Sequence, residues 1–136
     1  MKCQLKGYGN VQDLLFETGM DKFWNVNANS RLEVLLGRST KIEQITIIAK
    51  NNETKPAAMR IYTTQDGKSF LFKEHKQLIF KQNQLKTNIN IRGVSKYRGL
   101  RFTIENPDTG SEQLSIKMAF YGTYEHDSIM DFGNRR

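Results

Sequence analysis

The sequence predicts an all-β fold, an antiparallel β-sandwich, on three observations. From Arg31 onward, apolar and polar residues alternate at period two in short runs. Glycine, asparagine and aspartate turn signals separate those runs, and no stretch carries the apolar periodicity of a long helix. At 136 residues the chain suits one domain with a real core and is short for two. The sandwich is expected over residues 1–124. Residues 125–136 lose the alternation, end in Gly133-Asn134-Arg135-Arg136, and read as a C-terminal tail.

The elements follow in order. Residues 1–22 carry Gly7, Gly9 and Gly19 around Val11, Leu14, Leu15 and Phe16, which suggests an opening strand or loop and a single helical turn at 11–16. Residues 23–37 join Trp24, the single tryptophan, through a polar Asn/Ser loop to the apolar run 32–36, stopped by Gly37. Trp24 reads as a core anchor, because its ring contributes a large buried area, and the loop beside it reads as the recognition segment. A further strand at 42–50 sets Ile45, Ile47 and Ala49 on one face and Ile48 on the other.

Met59, Ile61 and Thr63 alternate with Arg60 and Tyr62, and lead into Asp66-Gly67, a hairpin signal because a type I′ turn needs positive φ at both central positions. The returning strand, 69–73, sets Phe70 and Phe72 opposite Leu71. Strands are also expected at 78–81, 87–92 and 99–105, with a turn at 106–110 around Pro107 and Gly110. The last strand, 113–121, places Leu114, Ile116, Met118 and Phe120 on one face and Lys117, Ala119 and Tyr121 on the other.

Composition narrows the function. Hydrophobic residues at 38% and charged residues at 26% suit a soluble globular protein. No apolar run approaches the ~20 residues of a membrane-spanning helix, and the first residues lack the apolar segment of a secretory signal, so an intracellular protein is expected. Cys3 is the single cysteine, which excludes an intrachain disulfide and a cysteine-based zinc site. A net charge of +7 favours acidic partners, but the basic residues are spread out and read as a solvated sheet face.

The order of motifs resembles the discoidin-type domain, the galactose-binding-like jelly roll also known as the coagulation-factor C-terminal domain. The similar pieces are Phe23-Trp24, Leu32-Glu33-Val34-Leu35-Leu36-Gly37, Ile42-Glu43-Gln44-Ile45 and Thr64-Gln65-Asp66-Gly67-Lys68-Ser69-Phe70. Phe80-Lys81-Gln82-Asn83, Arg98-Gly99-Leu100-Arg101-Phe102 and Tyr121-Gly122 complete the series over about residues 11–124. Extracellular members tie their ends by a disulfide. Here Cys3 lies where the first cysteine falls and Thr123 where its partner would be, which suits an intracellular version. The loop 51–56 is wholly polar, unlike the lipid-inserting loops of some members.

Catalytic chemistry is not expected. His75 and His126 lack the partners of a catalytic pair, and His126 between Glu125 and Asp127 reads as part of a solvated tail rather than a metal site. No phosphate-cradling or dinucleotide fingerprint occurs, and Asn52-Glu53-Thr54 is a glycosylation match without a secretory route. Some sugar-binding members of the fold hold calcium through loop oxygens, but no clustered carboxylates point to it here. Neither metal nor cofactor is expected.

Three functions remain. The leading expectation is a non-catalytic protein-binding module, a small subunit of an intracellular assembly. The resemblance implies cytoplasmic or ciliary precedents: the Doc subunit of the anaphase-promoting complex and a small subunit of the intraflagellar transport machinery. The contacts would come from loop amides and a lysine: Asn25, Asn27, Asn29, Asn51, Asn52, Lys55, Asn83 and Gln84. The alternative is a lectin-like glycan-binding module with a platform of Arg92, Tyr97 and Arg98. Nucleic-acid binding, prompted by the charge and by a remote likeness to the amino-terminal domain of a DNA single-strand-break repair scaffold, ranks last because the basic residues do not cluster.

Overall fold

The computed structural model of the protein describes residues 4–91, 96–105 and 113–124. The strands are β1 (Gln4–Gly7), β2 (Trp24–Asn27), β3 (Arg31–Ala49), β4 (Ala58–Thr64), β5 (Leu71–Gln77), β6 (Lys86–Asn90), β7 (Tyr97–Ile104) and β8 (Gln113–Tyr124). Short 3-10 turns at Val11–Leu14, Phe16–Thr18 and Asn52–Thr54 are the helical elements among the described residues. The expected helical turn near 11–16 is thus present in 3-10 form, with Val11 and Leu14 turned into the core.

β3 organises the sandwich. Its first half pairs antiparallel with β1, where Gln4 faces Leu35, and with β7, where Arg31 faces Thr103. Its second half pairs with β8, where Ile45 faces Phe120, and with β6, where Ile45 faces Ile89. One layer therefore runs β1, β3, β7, β4, β5 and the other β2, β8, β3, β6. The change of partner falls between Leu35 and Thr40, where the β7 register slips around Gly37 and Arg38. The sequence expectation of two strands ended at Gly37 is corrected by this single strand of 19 residues.

Alternation fills the space between the layers. Leu32 and Val34, Ile45 and Ile47, Met59 and Ile61, Leu100, Phe102 and Ile104, and Leu114, Ile116 and Met118 are all buried. Phe102 of one layer stacks on Phe120 of the other at 6.0 Å between centroids. Trp24 is fully buried and its indole Nε1 donates to the Tyr8 carbonyl at 2.7 Å, so it is the core anchor the sequence suggests.

Other local readings need correcting. In the connection 65–70, Gly67 has positive φ and Asp66 does not, so no type I′ turn forms. The Asp66 carboxylate organises the turn instead, accepting from the backbone N–H of Ser69 and Lys68 and from the Thr64 hydroxyl. Those bonds hold its pKa down from 3.8 to about 2. β5 consequently starts at Leu71, and Phe70 lies under the Arg101 guanidinium at 4.1 Å. The expected strand at 78–81 is absent. Leu78 is buried there while Ile79 is 76% exposed. The expected turn at 106–110 and the tail at 125–136 lie outside the described residues.

Gly122, near the end of β8, faces Ile42 beside a register slip between Ile42 and Gln44. A Cβ at this position would lie 2.0 Å from the Lys41 carbonyl oxygen, a backbone atom that cannot rotate away. Gly122→Ala is therefore expected to cost about 3 kcal/mol of stability, seen as a lower urea midpoint at unchanged slope. An unchanged midpoint would show that the two strands can separate at no cost.

Candidate functional site

Antiparallel pairing decides which connections share an end. β3 runs out at Ala49, whose N–H donates to Leu85 O, and Lys50 N–H donates to Ser115 O. Leu78 N–H donates to Ala57 O, Glu105 N–H to Ala58 O and Asn29 N–H to Ile104 O. The segments 28–30, 50–57 and 78–85 therefore cluster at one end of the sandwich. The connection 65–70 and the start of β7 lie at the other, since Gly99 faces Thr64 and Tyr97 faces Thr40.

Between 50–57 and 78–85 lies a cleft of about 400 Å³ lined by Asn52, Lys55, Pro56, Ala57, Gln77, Leu78, Ile79 and Phe80. Its size lies in the range of small-ligand sites. The local sequence explains the walls. Asn51 caps the 3-10 turn, its side-chain oxygen accepting from Glu53 N–H and Thr54 N–H, and this turn presents Asn52 outward. The main chain at Ile79 is held by its carbonyl, which accepts from the Thr87 hydroxyl at 2.7 Å. Phe80 is half-buried, and the Lys55 ammonium lies 5.4 Å from its ring centroid. The cleft thus offers apolar surface, two side-chain amides and one cation.

The residues singled out from sequence separate accordingly. Asn52 and Lys55 line the cleft, and exposed Asn83 and Gln84 belong to the same end, with Asn83 at φ 63 serving its turn. Asn51 is taken up by capping. Asn25 accepts from the Ser115 hydroxyl and Asn27 from the Gln113 amide, so both amides tie β2 to β8, and Asn29 takes the left-handed conformation in the bend before β3. The platform of Tyr97 and Arg98 stands at the opposite end. Tyr97 is buried with Lys73 over its ring, so its face is not offered to a ligand, and Arg92 lies outside the described residues. Sequence reasoning missed Gln77, Ile79 and Phe80 as lining residues. The apolar triplet 78–80 was the available signal, read as a strand.

Two further groups of charged residues are structural. On the outer face, Arg101 pairs with Glu33 at 2.9 Å, and Glu105 takes both His75 at 2.9 Å and Arg60 at 3.8 Å. Among the described residues this outer cluster holds no nucleophile. Among the described residues no group of His, Cys, Asp and Glu is arranged to hold a metal ion, and no helix is long and apolar enough to cross a membrane. Cys3 and His126 lie outside the described residues.

The other group centres on Lys117. It points away from the core as its alternation requires, yet it is fully buried because residues 13–22 fold over it. Its ammonium donates to the carbonyl oxygens of Asp13 and Lys22 and to the Thr18 hydroxyl, and lies 5.8 Å from the Phe23 ring. Burial lowers its pKa, and the Asp13 and Asp21 charges oppose that. Lys117 is therefore the clamp that fixes the loop between β1 and β2. The expectation of a solvated basic face does not hold at this position.

The fold is the discoidin-type, galactose-binding-like jelly roll. No protein-family model matches the chain, and no curated protein matches it. Solved structures align over nearly its whole length. The family 32 carbohydrate-binding module of AlyQ, in complex with 4,5-unsaturated mannuronic acid, has a TM-score of 0.69 at 13% identity, over 87% of this chain and 93% of that one. A pectin-binding carbohydrate-binding module has a TM-score of 0.65 at 13% identity, covering 88% of each chain. The family 32 module of C. perfringens NanJ, in complex with galactose, has a TM-score of 0.65 at 15% identity, over 91% of this chain and 93% of that one. These neighbours are carbohydrate-binding modules, and they overturn the leading expectation of a protein-binding subunit of an intracellular assembly.

Replacing Lys117 by Met keeps the apolar stem and leaves two part-buried carbonyls without their donor. We expect a loss on the order of 2 kcal/mol and faster amide exchange confined to residues 13–22. Unchanged melting and exchange would mean that the loop holds itself.

Proposed function

We propose that this chain is a non-catalytic carbohydrate-binding module that takes its sugar in the cleft between 50–57 and 78–85. The observation that carries the reading is the cleft itself, in a fold shared with modules that bind galactose, a mannuronic acid and pectin. A pyranose ring presents a C–H face and a rim of hydroxyls. Phe80, Ile79 and Pro56 supply apolar surface for the first, and the amides of Asn52 and Gln77 both donate to and accept from the second.

The geometry also favours a binding role over a catalytic one. Among the described residues the lining includes no carboxylate or histidine to move a proton, whereas glycoside cleavage needs a pair of acidic groups across the bond. The Asn51 cap, the Leu78 N–H bond to Ala57 O and the Thr87 hydroxyl bond to Ile79 O hold the cleft walls, which limits the ordering required of the protein when ligand arrives.

Screening the protein against a broad glycan array, followed by calorimetry on the best ligand, tests this. Wild-type protein is expected to bind at millimolar sugar or below. Phe80→Ala should weaken binding about ten-fold, and Arg98→Ala at the opposite end should not change it. Equal loss in the two variants, or an array blank at high protein concentration, would overturn the reading.

A further inference from the structure

Lys55 differs from four cations on the strands. There, Arg101 lies against Glu33, Arg60 against Glu105, Lys76 against Glu74 and Lys41 against Glu43. Lys55 is, among the described residues, the one charged side chain in the lining of the cleft. Among the described residues no carboxylate pairs with it, and its ammonium is held over the Phe80 ring instead. An aromatic ring fixes a cation through its quadrupole without neutralising it, so the positive charge remains available beside the cleft. The same two connections and the first residue of β6 carry exposed Lys50, Lys81 and Lys86 against Glu53, which adds a field of the same sign.

The ligand hydroxyls do not require this charge. Asn52 and Gln77 can each donate to or accept from a hydroxyl, while an ammonium only donates and makes its strongest bond to an anion. Those amides suffice for a neutral sugar, and among the described residues no carboxylate lines the cleft to neutralise Lys55. We propose that the ligand is an acidic sugar, a uronic acid unit of a polysaccharide. Its carboxylate sits on the Lys55 ammonium, its ring lies against Ile79 and Phe80, and its hydroxyls meet Asn52 and Gln77. The inference rests on the reading of this cleft as a sugar site.

The test titrates the whole chain calorimetrically with trimers of galacturonate, glucuronate and mannuronate, and with the methyl ester of each, at low and high salt. The ester keeps the sugar and removes the charge. At least one acid is expected to bind about ten-fold more tightly than its ester, with the preference shrinking as salt rises. Lys55→Met should abolish that preference, and Lys55→Arg, which retains the charge, should keep part of it. Acid and ester binding equally, with both weakened by Phe80→Ala, would overturn the acidic ligand and leave the cleft as a sugar site. An acid preference that survives Lys55→Met would overturn the role of Lys55. If none of the six trimers bound, the acidic ligand would be overturned, and a blank glycan array in addition would overturn the sugar site itself.

Discussion

The structure depends on both edges of β3 being hydrogen-bonded along most of its length. A strand shared between two layers must exchange one pair of neighbours for another without leaving backbone groups stranded in the core. β3 does so between Leu35 and Thr40, going from β1 and β7 to β6 and β8. This exchange sets the two layers against each other, and Phe102 and Phe120 meet across the gap it creates. It also decides where β3 ends. At Ala49 the chain leaves the core beside Leu85 and Ser115, so the 50–57 connection comes down against 78–85 and the cleft forms there.

Three cations show how surroundings divide structural from functional roles. Arg101 is neutralised by Glu33 and spread over Phe70, which places it in the outer face of the sheet. Lys117 is enclosed and satisfied by oxygens of the loop it clamps, so its charge is spent on local order. Lys55 is half-buried over Phe80 in the lining of the cleft, and among the described residues no carboxylate pairs with it. All three carry a positive charge. Their partners differ, and those come from distant parts of the chain.

That distance marks how much was legible in the sequence. The alternation of 114–120 and 100–104 was visible because each strand buries one face, and the period follows from local geometry alone. The continuity of β3 was not visible. Gly37 looks like a stop until the strands on either side are known. Asp66-Gly67 looked like a two-residue turn because the carboxylate bonds that replace it run through Thr64, Lys68 and Ser69. Lys117 carried a clue, as the lone charge between Ile116 and Met118, but its cover comes from residues 13–22. The site was half legible: Asn52 and Lys55 stood out as polar loop residues, whereas Phe80 and Ile79 were assigned to a strand. The end of the sandwich was readable in principle, since successive antiparallel strands alternate direction and place the start of β7 opposite to 78–85. The platform of Tyr97 and Arg98 required its loop to face the same end, and that alternation places the start of β7 at the other.

The central claim is that the end of the sandwich where β3 leaves the core is the ligand end. Backbone amide shifts followed during titration with the best glycan from the array test it most directly. The account predicts changes concentrated in residues 50–57 and 77–80, with residues 65–70 and Arg98 still. Changes centred on 65–70 and Arg98, with the cleft silent, would contradict it.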